Sequence, residues 1–252
     1  MSIRSVLKRL SYRHKLSAIR YFLHDPRLVF GIPTEPTKMH VASVIERATR
    51  MSIIPALQNF LPEWFLAHLD AAEVRDGAGY GLMLYLLVRT YKPRVAVETG
   101  VGRGLSSAYI LCAMRENGKG HLYSIDLAPK EAAVDKSGHD FVQLTDGQKH
   151  GDYRVGHCIP DRLKDKWSLI VGDSKEELPR LLRTVKGIDM FYHDSLNTYE
   201  HMKFEYETVW PYLGDSGLML SHDVVWNKAF CEMRGKYGKK AVIYRSLGIM
   251  TK

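Results

Sequence analysis

The sequence predicts an α/β fold, in which a doubly wound sheet of about seven strands, mostly parallel with an antiparallel edge strand, follows an N-terminal helical extension. Short apolar strands alternate with helical segments from Arg94 onward, and a glycine-rich turn at 100–104 joins the first strand to the helix after it. The first five predicted strands end at or beside an acid, namely Glu98, Asp126, Asp173, Asp194 and Asp223. Because ligands bind at the carboxyl ends of the strands in an open α/β sheet, we expect the functional site there.

The 252 residues divide into two predicted parts. Residues 1–78 form a helical extension, and its first 25 residues place apolar side chains at helical spacing with Lys and Arg between them. This basic amphipathic start suits a cap or an oligomer contact. Residues 79–252 form the sheet domain, in which the long polar segment 129–165 is predicted to be an insertion or lid. Helices are expected at 41–50, 55–70 and 79–90, and Pro93 ends the last of them.

Within the sheet domain each strand is a short apolar run bounded by turn residues. The predicted strands are 94–98, 121–126, 167–171, 188–192 and 217–221, followed by a closing pair at 241–244 and 248–251. The short turn 245–247 allows that pair to form a hairpin, hence the antiparallel edge. Helices are predicted at 106–116, 175–184 and 198–213. Asn117-Gly118 ends the first of these, and Asp173 or Ser174 caps the second.

Charge and composition narrow the class of protein. The formal net charge is +8, and much of the excess lies in the first fifty residues. Two interpretations are open: a solvated helix face, or contact with an anionic membrane surface or an acidic partner. We find no nucleic-acid-binding motif. Three widely spaced cysteines without a C-x-x-C motif indicate neither a zinc site nor a disulfide framework. With no signal peptide and no run of about 18 apolar residues, we expect a cytoplasmic protein.

The spacing of the glycines distinguishes a dinucleotide ligand from a ligand without a pyrophosphate. The turn has the spacing G-x-G-x-G, whereas a dinucleotide-binding turn has G-x-G-x-x-G, and Leu105 stands where the last glycine of that pattern would be. Glu98 before the turn would repel a pyrophosphate but suits a ligand that carries an ammonium group. Asp126, about one β-α-β step later, is placed to accept hydrogen bonds from both ribose hydroxyls of a nucleoside.

Glu98-x-Gly100-x-Gly102-x-Gly104 resembles motif I of class I S-adenosylmethionine-dependent methyltransferases, which have a Rossmann-like sheet. Asp126 then resembles their ribose-binding acid, and Gly172-Asp173-Ser174 is similar to the segment that lines adenine. Within the class, the residues look closest to small-molecule and sugar O-methyltransferases, a group that includes cephalosporin-hydroxylase-like and macrolide-sugar methyltransferases. The resemblance implies cofactor contacts by Glu98, Gly100, Gly102, Gly104, Ser106, Asp126, Gly172, Asp173, Ser174 and Asp194.

The same resemblance bears on catalysis and metal binding. Several members of the group bind a divalent cation through acids after strands four and five, which implies Asp194 and Asp223 as ligands of Mg²⁺. His222 replaces one expected carboxylate there, and a hard cation prefers oxygen. Asn197 stands where the group often carries a histidine base. The predicted catalytic residues are therefore His222, the preferred base, with Asp194 and His193; His201, on a helix, is expected to face solvent.

Three functions follow from these residues. The first is S-adenosylmethionine-dependent methyl transfer to a hydroxyl oxygen of a small polar metabolite or sugar. The alternatives are an NAD-type oxidoreductase and a non-catalytic nucleotide- or surface-binding protein docked by the basic N-terminus. The expected partner is a small-molecule acceptor, with no nucleic acid. A homodimer through the apolar N-terminal helices and peripheral membrane contact are further expectations.

Overall fold

The computed structural model describes residues 61–69, 71–127, 155–239 and 241–252, with the backbone alone for 71–79. The helices predicted before residue 61 lie outside the described residues. So do the basic start of the chain, with its predicted membrane and dimer contacts, and residues 129–154 of the predicted insertion.

One sheet of seven strands forms the centre of the described domain, in the order β3-β2-β1-β4-β5-β7-β6. Its strands are β1 (Val95–Thr99), β2 (His121–Asp126), β3 (Trp167–Val171), β4 (Ile188–His193), β5 (Leu213–Ser221), β6 (Ala241–Tyr244) and β7 (Leu247–Thr251). The first five strands are parallel to one another, and β7 pairs antiparallel with both β5 and β6. The predicted sheet and its C-terminal hairpin are confirmed.

Helices cover both faces of this sheet. They are α1 (Glu63–Leu66), α2 (Ala71–Tyr91), α3 (Leu105–Glu116), α4 (Ser174–Val185), α5 (Tyr199–Val209) and α6 (Ala229–Lys236), with 3-10 helices at Asp161–Lys166 and Trp210–Tyr212. The prediction that the helix before β1 starts at Gly79 is wrong, because α2 begins eight residues earlier at Ala71 and crosses the predicted boundary at 78/79. None of the described helices is both long and apolar enough to cross a membrane.

Two apolar cores form because successive strand residues point to opposite faces. Ala96, Met190 and Leu218 join α2 and α3 on one face. Their sequence neighbours on the same strands join α4, α5 and α6 on the other face. Burial on both faces explains why the parallel strands are almost continuously apolar. Their carboxyl ends, which carry the polar residues, therefore meet along one edge.

Candidate active site at the carboxyl ends of the strands

The glycine turn is shaped by contacts within the chain. Gly100 and Gly104 have positive φ angles of 81° and 90°. A Cβ at Gly100 would collide with the main-chain carbonyl of Asp194, and one at Gly104 would lie 2.7 Å from Cα of Gly156. At these two positions glycine is required by the left-handed backbone and by the close approach of neighbouring main chain, because any side chain would clash.

Asp126 ties the turn to the end of β2. Its Oδ2 accepts hydrogen bonds from the main-chain N–H groups of Val101 (2.8 Å) and Gly102 (2.7 Å), and its Oδ1 accepts from Leu127 (2.7 Å). Burial raises the pKa of Asp126, although these three N–H groups oppose that rise. The carboxylate thus lies against the turn, half-buried, at the place where the sequence predicts a ribose contact.

Glu98 lies below the turn, where it is fully buried. Its carboxylate accepts hydrogen bonds from the hydroxyls of Ser106 (2.7 Å), Ser107 (2.6 Å) and Ser124 (2.7 Å). Burial raises the pKa of Glu98 to about 7, even though the three hydroxyls favour the ionised form. Glu98 and Ser106 were both predicted to contact the cofactor; in this arrangement they contact each other, and they join β1 to the first turn of α3.

Residues 156–158 form main-chain hydrogen bonds with the glycine turn. The N–H of Gly156 donates to the carbonyl of Gly102 (3.0 Å), and the N–H of Cys158 donates to the carbonyl of Arg103 (2.9 Å). This end of the predicted insertion therefore packs directly on the glycine turn. His157 is exposed between these two contacts.

The predicted adenine-lining residues have distinct local roles. Asp173 is exposed and caps α4 by accepting from the N–H of Lys175 at 2.8 Å, as predicted for one of the two candidates. The N–H of Gly172 donates to the main-chain carbonyl of Asp126 (2.8 Å), which links the ends of β2 and β3. Ser174 is buried, and its hydroxyl donates to Glu205 (2.7 Å), so it faces the protein interior.

An ion triad follows β4 and β5. Nδ1 of His222 lies 3.1 Å from Asp194 Oδ1 and 3.5 Å from Asp223 Oδ2. Although burial disfavours the charged ring, the two carboxylates raise the pKa of His222 to about 10. At neutral pH the imidazole is therefore already protonated and cannot accept a proton in this arrangement. Tyr80 of α2 packs against this triad, with its ring centroid 4.6 Å from that of His222.

Glu205 of α5 is the centre of a buried polar cluster that the sequence analysis did not identify. It is fully buried and accepts from two imidazoles and three hydroxyls: His193 Nδ1 (2.6 Å), His201 Nε2 (2.9 Å), Thr99 (2.6 Å), Ser174 (2.7 Å) and Ser195 (2.9 Å). Although burial favours the neutral acid, the two imidazoles lower the pKa of Glu205 below its usual range. One signal was available, because Met202, Glu205, Tyr206 and Val209 share an apolar helix face on which a lone carboxylate is unusual.

Two histidine predictions change as a result. His193, predicted to be catalytic, is fully buried and contacts the side chains of Glu205 and Asn197. It does not reach an open surface. The expectation that His201 faces solvent is wrong: only 6% of its surface is exposed, and its Nε2 is bonded to Glu205 and Ser174. The 3.6-residue period places position 201 on the inner face of α5 beside position 205.

The residues predicted to bind Mg²⁺ are close together, but an imidazole separates them. Nδ1 of His222 lies within ion-pair distance of the carboxylates of both Asp194 and Asp223. Across the described ranges, no group of three or more His, Cys, Asp or Glu side chains has the geometry to hold a metal ion. The present donor set does not fit a hard cation, because an imidazole nitrogen lies by both carboxylates where an oxygen ligand would be needed.

Comparison with known proteins places this site in a family. The sequence profile of a family described as "Methyltransferase domain" matches residues 97–224, just over half of the chain, from β1 through the residues after β5. That range includes the glycine turn, Asp126 and the ion triad. No curated protein matches the chain significantly.

Solved structures with related folds are also methyltransferases. A methyltransferase from Geobacter sulfurreducens has 16% sequence identity and a TM-score of 0.50, with 78% of this chain and 94% of that chain covered. An O-methyltransferase from Bacillus cereus, solved with SAH, has 13% identity and a TM-score of 0.46, with 94% and 97% covered. The O-methyltransferase TomG of tomaymycin synthesis from Streptomyces achromogenes, solved with SAM, has 16% identity and a TM-score of 0.46, with 75% and 89% covered.

Proposed function

The chain belongs to the methyltransferase-domain family, and from that premise we propose that it transfers the methyl group of S-adenosylmethionine to a hydroxyl oxygen of a small polar metabolite. The observation that carries the proposal is the pairing of two features at one edge of the sheet. A glycine turn held by Asp126 lies at the ends of β1 and β2, and a negatively charged triad lies at the ends of β4 and β5.

The ends of β2 and β3 suit the nucleoside half of the methyl donor. Three of the about four acceptor sites of the Asp126 carboxylate are used by main-chain N–H groups, and Oδ1, which accepts only from Leu127, is left to accept from a ribose hydroxyl. Beside it, Leu127 is 36% exposed and Val171 is 55% exposed, and Val171 is the register partner of Asp126. Exposed apolar side chains next to a carboxylate provide the mixed surface that an adenine and its ribose require. We therefore assign this pair of strand ends to the adenosyl group.

The triad suits the acceptor hydroxyl. When bound, S-adenosylmethionine supplies a methyl group that is already activated, so the chain must align the acceptor and remove one proton. Two carboxylates against one imidazolium leave a net charge of −1. We assign proton acceptance to the carboxylates of Asp194 and Asp223, because the pKa of His222 is raised to about 10. His222 then orients both carboxylates, which revises the role of base expected from the sequence.

Methyl transfer from S-adenosylmethionine carrying a tritiated methyl group tests this proposal. Catechol, methyl glucoside and 1,2-propanediol present adjacent hydroxyls in aromatic, sugar and aliphatic settings. We expect label in at least one product, and His222→Ala should lower turnover more than it lowers affinity for S-adenosylhomocysteine. Label transferred only to an amine or thiol control would refute O-methylation, while an unlabelled panel with NAD-dependent oxidation would favour the oxidoreductase.

A further inference from the structure

We infer that Asn197 is a positioning residue that couples the buried Glu205–His193 pair to the Asp223 carboxylate at the reaction site. The inference rests on the proposed function, because Asp223 is one of the two groups assigned to the acceptor hydroxyl. Asn197 is half-buried and lies in the loop between β4 and α5. Its side chain touches both parts: Oδ1 is 3.3 Å from His193 Nε2, and Nδ2 is 3.1 Å from Asp223 Oδ2.

The buried Glu205–His193 pair is held rigidly by its hydrogen bonds. Glu205 joins β1, β4, the start of α4, the loop after β4 and its own helix through the five donors described above. Both of its oxygens are used, and none of its surface reaches solvent. His193 Nδ1 lies 2.6 Å from Glu205 Oε2, so the ring plane is set by a short bond to a charged group. The position of His193 Nε2 is thereby defined.

The direction of the amide follows from the chemistry of its two neighbours. An ionised carboxylate only accepts hydrogen bonds, so the NH₂ group of Asn197 must face Asp223. The amide oxygen then faces His193 Nε2 at 3.3 Å. A flipped amide would place its oxygen against the carboxylate oxygen of Asp223. The contact with Asp223 therefore fixes the orientation of the amide, and the same amide relates the position of the imidazole to that of the carboxylate.

Asp223 lies at a sharp turn of the main chain. Its φ angle is +52°, in the left-handed region, which short polar residues such as Asp adopt more readily than most other residues. The same asparagine also fastens the following loop, since its main-chain carbonyl accepts from Asn227 Nδ2 at 3.0 Å. Asn197 thus holds the Asp223 carboxylate with its side chain and the loop 223–227 with its main chain.

Three substitutions at position 197 test this role. Asn197→Leu keeps the size and removes both bonds, Asn197→Asp keeps the acceptor but sets a negative charge beside Asp223, and Asn197→His keeps one acceptor and one donor. With the probe that the wild-type chain methylates best, we expect Asn197→Leu to lower kcat about ten- to a hundredfold. Asn197→Asp should lower it at least as far, and Asn197→His should recover part of the loss. Affinity for S-adenosylhomocysteine should stay at the wild-type value in all three.

Asn117→Leu is the matched control. Asn117 is also half-buried, and its side chain also makes two bonds, from Arg89 Nη1 (2.9 Å) and to the carbonyl of Val88 (2.9 Å), far from the site. It should cost stability but leave kcat unchanged. Wild-type kcat in Asn197→Leu would overturn the inference. So would an equal loss of kcat and cofactor affinity, because that pattern indicates a general structural defect.

A double-mutant cycle keeps the test independent of any acceptor. Urea unfolding of Asn197→Leu, Asp223→Asn and the double variant should show a coupling of about twofold or more in the unfolding equilibrium constant. Additive effects would overturn the inference. If the wild-type chain binds S-adenosylhomocysteine but methylates none of the three probes, the proposed acceptor class fails, and the cycle still decides whether Asn197 is coupled to Asp223.

Discussion

The buried carboxyl of Glu98 makes the stability of this protein depend on pH in a direction that a surface acid would not produce. Its pKa is about 7 in the folded chain, against an ordinary value of 4.5. Between these values the folded state binds more protons than the unfolded state, so the free energy of unfolding falls as pH rises through this window. From pH 5 to pH 8 the loss amounts to about 2–3 kcal/mol.

Glu98→Gln removes this dependence. The amide cannot ionise, and it keeps a donor and an acceptor for the hydroxyls of Ser106, Ser107 and Ser124. Urea unfolding followed by tryptophan fluorescence at pH 5 and pH 8 should show a smaller decrease for the variant than for the wild-type chain, by about 2–3 kcal/mol. Glu116→Gln, at an exposed position at the end of α3, should differ from wild type by no more than about 0.5 kcal/mol at either pH.

The assignment of Glu98 is refuted by parallel pH profiles for the wild-type chain and Glu98→Gln. Such profiles mean that the carboxylate is ionised throughout the range, as a group facing solvent or a cationic ligand would be. A steeper profile for the variant would contradict the sign of the shift.

Three further predictions concern the cofactor side and the metal. Asp126→Ala should weaken binding of S-adenosylhomocysteine about tenfold or more. If calorimetric titration shows unchanged affinity, Asp126 only stabilises the glycine turn and does not contact the cofactor. Gly100→Ala should lower the free energy of unfolding by more than Gly118→Ala does. Both glycines have positive φ, but a Cβ at Gly118 meets nothing within 4 Å. Equal losses of stability in urea unfolding would show that the predicted collision at Gly100 is absent. Excess EDTA should leave methyl transfer unchanged, and a loss that Mg²⁺ restores would instead support Asp194 and Asp223 as metal ligands.

The sheet and the edge that carries the site were predictable because they depend on local patterns. Apolar runs of strand length alternate with helical periods, and parallel strands necessarily bring their carboxyl ends together. Glu98, Asp126, Asp173, Asp194 and Asp223 therefore lie at or next to the carboxyl ends of β1 to β5. The glycine turn was recognisable from its spacing, although its glycines proved to accommodate neighbouring main chain at Gly100 and Gly104.

The partners of these acids were not predictable, because they depend on contacts between distant residues. Thr99 and Glu205 are 106 positions apart, and Gly102 and Gly156 belong to segments separated by the predicted insertion. A carboxylate at a strand end can face outward toward a ligand or inward toward hydroxyls, and a strand pattern does not distinguish the two for Glu98. The charge of His222 likewise depends on two carboxylates that only the folded chain brings within 3.5 Å.

Calorimetric titration of the full chain with S-adenosylhomocysteine and, separately, with NAD tests the central claim most directly. The turn and Asp126 are assigned to an adenosyl group without a pyrophosphate, so we predict saturable one-to-one binding of S-adenosylhomocysteine and no binding heat with NAD. Binding of NAD with none of S-adenosylhomocysteine would contradict the proposed methyl donor and the role assigned to this edge of the sheet.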